Sequence, residues 1–273
     1  MDFEELIRIM SFNIRYRNEW DDERNSWDNR MQKVTDMIRF HHTDIAGLQE
    51  VLIDQLNDIE KQLPCYQWVG VGRDDGAEEG EFAPIFFRRD IFSLLGNGFF
   101  WLSETPDIPG SIGWDAACIR ITTWVKLLDR RTNTEFFVFN AHFDHVGKIA
   151  MEKSAYLLLD RIDKIAEKSP VIVTGDFNNT EDSEVYKILT AIGDARLVDS
   201  KYVSLYPHHG PNFTFHEFKA LDILKSENED LKQTIDFIFI KNNIKVLQHG
   251  TLSDTWDGIF PSDHMPVLAD IKF

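Results

Sequence analysis

The chain has 273 residues, 43% of them hydrophobic, with 21 Phe and 7 Trp, which is ample for one large core at a length where layered folds often form a single domain. Its 46 acidic and 29 basic residues leave a net charge of −17 with no run of three or more Lys/Arg, so tight binding of duplex nucleic acid is disfavoured. No stretch approaches the ~20 apolar residues of a membrane span. The start Met1-Asp2-Phe3-Glu4-Glu5 is acidic where a signal peptide is basic, and Cys65 and Cys118 lack metal-ligand spacing, so free thiols in a reducing, cytoplasmic compartment are expected.

In chain order, Leu6 to Asn13 has the content of a buried strand, and Met31, Val34, Met37 and Ile38 give the stretch from Trp27 to His42 one apolar helical face. Asp44 to Glu50 returns as a short strand, and Leu52, Leu56, Ile59 and Leu63 mark a second helix that stops at Pro64. Strands are expected at Gln67 to Val71, Ala83 to Arg88 and Phe92 to Leu102, with the acidic loop Asp74 to Glu81 between the first two. Cys118 to Leu128 and Phe136 to Phe143 flank the polar tip Asp129 to Thr134 as a hairpin. A helix from about Lys148 to Lys168 leads to the strand Val171 to Thr174, a further helix spans about Ser183 to Ile192, and strands recur at Thr234 to Ile240, Lys245 to Leu252 and Met265 to Ile271. No repeat, low-complexity segment or linker interrupts the chain, so residues 1–273 are expected to form one domain, a two-sheet sandwich with outer helices.

Polar residues collect at the ends of apolar strands: Asn13, Glu50, Asn140 with His142, Asp176 with Asn178, Asp236, and Asp263 with His264. Buried carboxylates and imidazoles cost several kcal/mol unless paired or bound to metal, so a shared site explains the pattern better than separate burials. Carboxylates with Asn carbonyls are hard oxygen ligands suited to Mg²⁺ or Mn²⁺, whereas zinc prefers more His or Cys. Two histidines suit proton transfer and charge stabilisation, and the combination suggests water-driven cleavage of a phosphate ester. Each position also has a plain structural alternative, such as a strand cap at Asn13, a helix-dipole charge at Glu50 or an Asx turn at Asp176 and Asn178.

Ser11-Phe12-Asn13, Leu48-Gln49-Glu50-Val51, Asn140-Ala141-His142-Phe143-Asp144, Gly175-Asp176-Phe177-Asn178, Ile235-Asp236-Phe237-Ile238-Phe239 and Ser262-Asp263-His264-Met265-Pro266-Val267 resemble, in order, the signature blocks of the endonuclease/exonuclease/phosphatase superfamily. The resemblance implies a four-layered α/β sandwich, two mixed or antiparallel sheets packed face to face with helices outside, and Mg²⁺-dependent phosphoester hydrolysis at one mouth. It implies Glu50 as main metal ligand, assisted by Asn13 and Asp263, with Asp176 and Asn178 positioning the attacking water and the phosphate. His264, oriented by Asp236, is then base or phosphate contact, and His142 stabilises or protonates the departing oxygen. Asn140 is either a substrate contact or a scaffold residue.

Arg120 resembles the phosphate-binding arginine of the superfamily's nucleases, and Trp114 stands where their tyrosine would, without its hydroxyl. The aromatic loops Phe99 to Trp101 and Phe213 to Phe218, with Phe215 as candidate substrate contact, are able to stack a base, line a lipid or sugar pocket, or simply pack. The expected substrate is a small, nucleotide, sugar or lipid-like phosphoester rather than a polymer. A nuclease for single strands or short oligonucleotides, and an idle binding module, are the alternatives.

Overall fold

Strand side chains alternate between two faces, and here both faces are buried, which is why the strands read as near-continuous apolar runs. The computed structural model describes residues 5–191 and 196–273; the acidic start at residues 1–4 and the expected helix end at Ile192 lie outside the described residues. The strands are β1 (Ile7–Asn13), β2 (Ile45–Gln49), β3 (Tyr66–Val69), β4 (Ile85–Arg88), β5 (Phe92–Trp101), β6 (Ile121–Asp129), β7 (Thr134–His142), β8 (Val171–Asp176), β9 (Val198–Asp199), β10 (Asp236–Lys241), β11 (Lys245–Thr251) and β12 (Val267–Lys272). The α-helices are α1 (Trp27–Phe40), α2 (Ile53–Gln62), α3 (Lys148–Ala166), α4 (Glu184–Ala191), α5 (Ser200–Val203) and α6 (Ala220–Lys225). They build two six-stranded mixed sheets, ordered β11-β12-β1-β2-β4-β3 and β5-β6-β7-β8-β10-β9. The parallel pairs are β1 with β2 and β7 with β8, each joined through a helix.

Ile7, Ile9, Ile45, Phe136, Val138, Ile172, Ile238 and Ile240 pack between the sheets. Behind the first sheet, Met10, Phe12, Ala46 and Leu48 meet Val34, Met37 and Ile38 of α1 and Leu56 and Ile59 of α2. Behind the second, Phe137, Phe139, Val171 and Val173 meet Leu158, Leu159 and Ile162 of α3 and Ile188 and Leu189 of α4. The result is the expected four-layered sandwich. Sequence pattern set some strand starts early. β4 begins only after Pro84, which has no N–H to give a ladder, and β6 begins at Ile121 rather than Cys118. The two-residue β9 and the short α5 and α6 are too brief for periodicity to announce.

Toward one end of the sandwich the inward positions change from apolar to polar. On β1 they run Ile7, Ile9, Ser11, Asn13; on β7, Phe136, Val138, Asn140, His142; on β8, Ile172, Thr174, Asp176; on β10, from its C-terminal end, Ile240, Ile238, Asp236. The first polar layer locks the sheets together. Asn140 Oδ1 accepts from Gln49 Nε2 at 2.6 Å and Thr174 Oγ1 at 3.0 Å, and its Nδ2 donates to the carbonyls of Leu48 at 2.7 Å and Pro84 at 3.0 Å. Ser11 Oγ accepts the Gly175 N–H from the opposite sheet at 3.0 Å.

Gly47 is what allows this approach. A Cβ there would lie 2.0 Å from Thr174 Oγ1 and 2.7 Å from Asn140 Oδ1. Gly47→Ala should therefore cost at least about 2 kcal/mol, as overpacking plus a broken polar layer. A urea unfolding midpoint equal to that of the unsubstituted protein would contradict this account.

Candidate active site

The second polar layer opens into a cavity of about 680 Å³ lined by residues of both sheets and the loops above them. Asp176, at the end of β8, is its hub. Its Oδ2 accepts from Asn13 Nδ2 of the other sheet at 2.9 Å and lies 3.6 Å from His142 Nε2 and 3.9 Å from His264 Nε2. Its Oδ1 accepts the Asn178 N–H at 2.9 Å, closing a turn in which Asn178 takes a left-handed φ of 50°. Asn tolerates that region better than most residues. Glu50 also has a positive φ, 63°, just past β2. Its Oε1 accepts from Asn13 Nδ2 at 3.0 Å and its Oε2 from the Tyr16 N–H at 3.2 Å.

The two histidines are held in opposite charge states. His264 Nδ1 pairs with Asp236 Oδ2 at 2.9 Å. Burial alone would strip its proton, but Asp236, with Asp176 and Asp263 nearby, holds its pKa well above the ordinary imidazole value. His142 is buried against Arg120, whose Nη1 donates to its Nε2 at 2.9 Å; burial and that guanidinium press its pKa well below the ordinary value. An arginine only donates, so the proton of neutral His142 sits on Nδ1, which faces Glu81 Oε2 at 3.9 Å.

Burial and then Asp236 push the Asp176 carboxyl up to about 7, and burial also raises Asp263. Arg15 comes only within 3.7 Å of Asp263. Glu50, Asp176 and Asp263, with only Arg15 and His264 near them, make an oxygen-rich wall whose donor set fits a hard divalent cation such as Mg²⁺ or Mn²⁺. Glu50, Asp176 and His142 offer ligand atoms within 4.8 Å of one another. Cys118, Asp144 and His145 also cluster at that spacing, but Asp144 accepts the N–H groups of Ala117, Cys118, Val146 and Gly147 and so serves as a loop lock.

Of the residues expected at the site, Glu50, Arg120, His142, Asp176, Asn178, Phe215, Asp263 and His264 line the cavity. Asp236 supports His264 from behind. Three further expected residues lie off the cavity wall. Asn140 is fully buried with its amide committed to the inter-sheet layer, so it is scaffold, not a substrate contact. Trp114 does not line the cavity; its N–H is tied to Glu104 at 2.9 Å on the loop before β6. Asn13 presents its NH₂ to two carboxylates while its Oδ1 accepts the Arg15 N–H at 3.0 Å, so it aligns the acidic groups from behind the cavity wall.

Sequence reasoning missed Glu81, Arg73, Arg15, His145 and Lys219, all in the cavity wall. They sit in irregular segments, where strand-end logic has no purchase. The one available signal was Glu81-Phe82 two residues before Pro84, an apolar residue closing an otherwise acidic loop.

The sequence model of the Endonuclease/Exonuclease/phosphatase family matches residues 10–264. An endonuclease/exonuclease/phosphatase from Bacteroides vulgatus superposes with a TM-score of 0.91 at 38% identity, covering 99% of this chain and 100% of that one. A mannosyl-6-phosphatase from Bacteroides thetaiotaomicron superposes at 0.90 with 37% identity, covering 98% and 100%. The CCR4-Not complex 3'-5'-exoribonuclease subunit Ccr4 of Aspergillus niger is 24% identical over 90% of this chain, which spans 47% of that protein's length. The chain covers under two thirds of the length of the curated relatives it matches.

Binding a divalent cation at the acidic wall requires Asp176 to shed the proton it holds below about 7. The Mg²⁺-induced rise in Tm should therefore be small near pH ~5, grow as pH rises, and level off above ~7. Asp176→Asn should flatten the trend. A Tm increment independent of pH in the unsubstituted protein would contradict the assignment.

Proposed function

The chain belongs to the endonuclease/exonuclease/phosphatase family, and from that premise we propose that it is a divalent-metal-dependent hydrolase of small phosphoesters. What carries the reading is the placement of Asp176 between the two sheets, 3.6 Å from His142 on its own sheet, 2.9 Å from Asn13 on the other, and 3.9 Å from His264, which leads into β12 of that other sheet. Glu50 and Asp263, with Asp176 beside them, would hold the cation, which when bound neutralises phosphate charge and polarises the phosphorus–oxygen bonds.

The remaining work falls to the side chains. Asp176, ionised once the cation has joined it, takes the proton of the attacking water as general base. His264 stays protonated through Asp236 and donates Nε2–H to a phosphate oxygen, so it is a charge-stabilising contact and not the base. Arg120, 5% exposed, adds a second fixed donor and keeps His142 neutral. Neutral His142 keeps only its Nδ1–H, with which it orients the phosphate, and the departing oxygen takes up its proton from solvent as Asp176 gives back the one it took from water.

The net charge of −17 supports a small substrate over a polymer. A compact phosphoester inside the mouth meets the local cations within about one Debye length of ~8 Å, whereas a strand lying across the surface meets the acidic exterior.

The purified protein should hydrolyse an aryl phosphomonoester or phosphodiester with Mg²⁺ or Mn²⁺, lose that activity with chelator, and lose at least ~100-fold in His264→Ala and in Asp176→Asn. Equal rates with metal and with chelator would sink the proposal. Turnover of oligonucleotide that outpaces small esters and falls steeply with salt would favour the nuclease reading instead.

A further inference from the structure

The loop from Gly72 to Phe82 supplies two cavity-wall residues that the proposed hydrolysis does not use, Arg73 and Glu81. Val51 and Phe82 pair through both backbone hydrogen bonds, Val51 N to Phe82 O at 3.3 Å and Phe82 N to Val51 O at 2.7 Å. The pairing is antiparallel, so Glu50 and Glu81, which precede the paired residues, stand diagonally across it, and both line the mouth. The loop is rigidly anchored: Arg73 N donates to Glu81 O at 3.1 Å, Asp74 N to Glu79 O at 3.1 Å, and Trp101 Nε1 to Arg73 O at 2.6 Å. At its back, a Cβ on Gly110 would lie 2.4 Å from Asp74 O.

The Glu81 and Arg73 side chains are joined by one hydrogen bond, Arg73 Nη1 to Glu81 Oε2 at 2.6 Å. Both keep unused capacity. Glu81 Oε1 and Arg73 Nη2 make no hydrogen bond among the described residues, whereas Arg73 Nε is buried away from the mouth with Asp74 Oδ1 at 3.8 Å. Glu81 Oε2 is also 3.9 Å from His142, which is 3.6 Å from Asp176, so the pair stands at the mouth beside the groups assigned to the chemistry.

We propose that Glu81 and Arg73 form the subsite for the alcohol half of the substrate and select phosphate esters of polyhydroxylated alcohols, the class to which sugar phosphates belong. The inference rests on the phosphoester reading above. A carboxylate with a free oxygen accepts from hydroxyls, and a guanidinium fork donates to them, so together they match neighbouring hydroxyl groups in a way that neither an alkyl chain nor an aryl ring can use. The rest of the wall agrees. Each aromatic ring of the cavity wall already has a partner: Phe215 the His264 ring at 4.9 Å, Phe218 the Arg30 guanidinium at 5.6 Å and Tyr16 the Arg15 guanidinium at 4.9 Å. Arg15, Lys219 and Glu217 make the opposite side charged rather than oily.

The test compares kcat/KM for a hexose 6-phosphate with that for cyclohexylmethyl phosphate, which has a similar ring and no hydroxyls, and with 4-nitrophenyl phosphate. The unsubstituted enzyme should prefer the hexose ester over the cyclohexyl ester by about tenfold or more, and Glu81→Gln and Arg73→Gln should each shrink that preference by about tenfold, mainly through KM. The preference of the unsubstituted enzyme needs no variant and decides the matter even if one fails to fold. Equal turnover of hexose and cyclohexyl esters, or a loss in both variants that is the same for all three substrates, would overturn the subsite. Absence of metal-dependent turnover on every ester would instead overturn the phosphoester reading beneath it.

Discussion

Everything at the mouth depends on two sheets meeting through hydrogen bonds rather than through oil. Most of the interface between them is isoleucine, valine and phenylalanine, which sets a spacing near ~10 Å and is indifferent to register. One layer nearer the mouth, Asn140 spends its whole amide on Gln49, Thr174 and the carbonyls of Leu48 and Pro84, and Gly47 removes the side chain that would have kept the sheets apart. Hydrogen bonds are directional, so this layer converts a loose face-to-face packing into a fixed offset. The Asn13 to Asp176 bond at 2.9 Å, which joins the sheet of Glu50 and His264 to the sheet of His142, exists only because that offset is fixed.

Once the sheets are set, charge states follow from neighbours. Two imidazoles within 4 Å of the same carboxylate oxygen of Asp176 end up opposite. Asp236 stands behind His264 and outweighs desolvation, while Arg120 stands beside His142 and adds to it. One aspartate and one arginine therefore divide a symmetrical-looking pair into a cationic donor and a neutral one. The raised carboxyls of Asp176 and Asp263 have the same origin, since acidic groups crowded in a low-dielectric mouth disfavour full ionisation until a cation joins them.

The architecture and most of the centre were legible in the amino-acid order because strand ends obey a simple rule. A polar residue that continues the inward parity of an apolar strand has to be paired or functional, and Asn13, His142, Asp176 and Asp236 all continue that parity. Asn140 obeys it too and was harder to assign, because pattern alone does not say whether an inward polar side chain faces the opposite sheet or the solvent-filled mouth. Trp114 was misplaced for a different reason: its position came from resemblance in a loop, where neither parity nor pairing constrains the chain.

Glu81 shows where such reading stops. Its segment, Asp74 to Glu81, has the composition of a solvated turn, yet a single bridge between Val51 and Phe82 turns its last residue into the mouth, where burial and the neighbouring Glu50 raise its carboxyl to about 6. A two-residue bridge leaves no periodic trace. Strand-end residues are tied to the sheet offset and so to the chemistry common to the fold, whereas loop residues such as Arg73 and Glu81 can be exchanged without disturbing the polar layer that places Asp176. Reaction and selectivity are thereby written in different parts of the chain, the first in the strands and the second in the loops that bridge onto them.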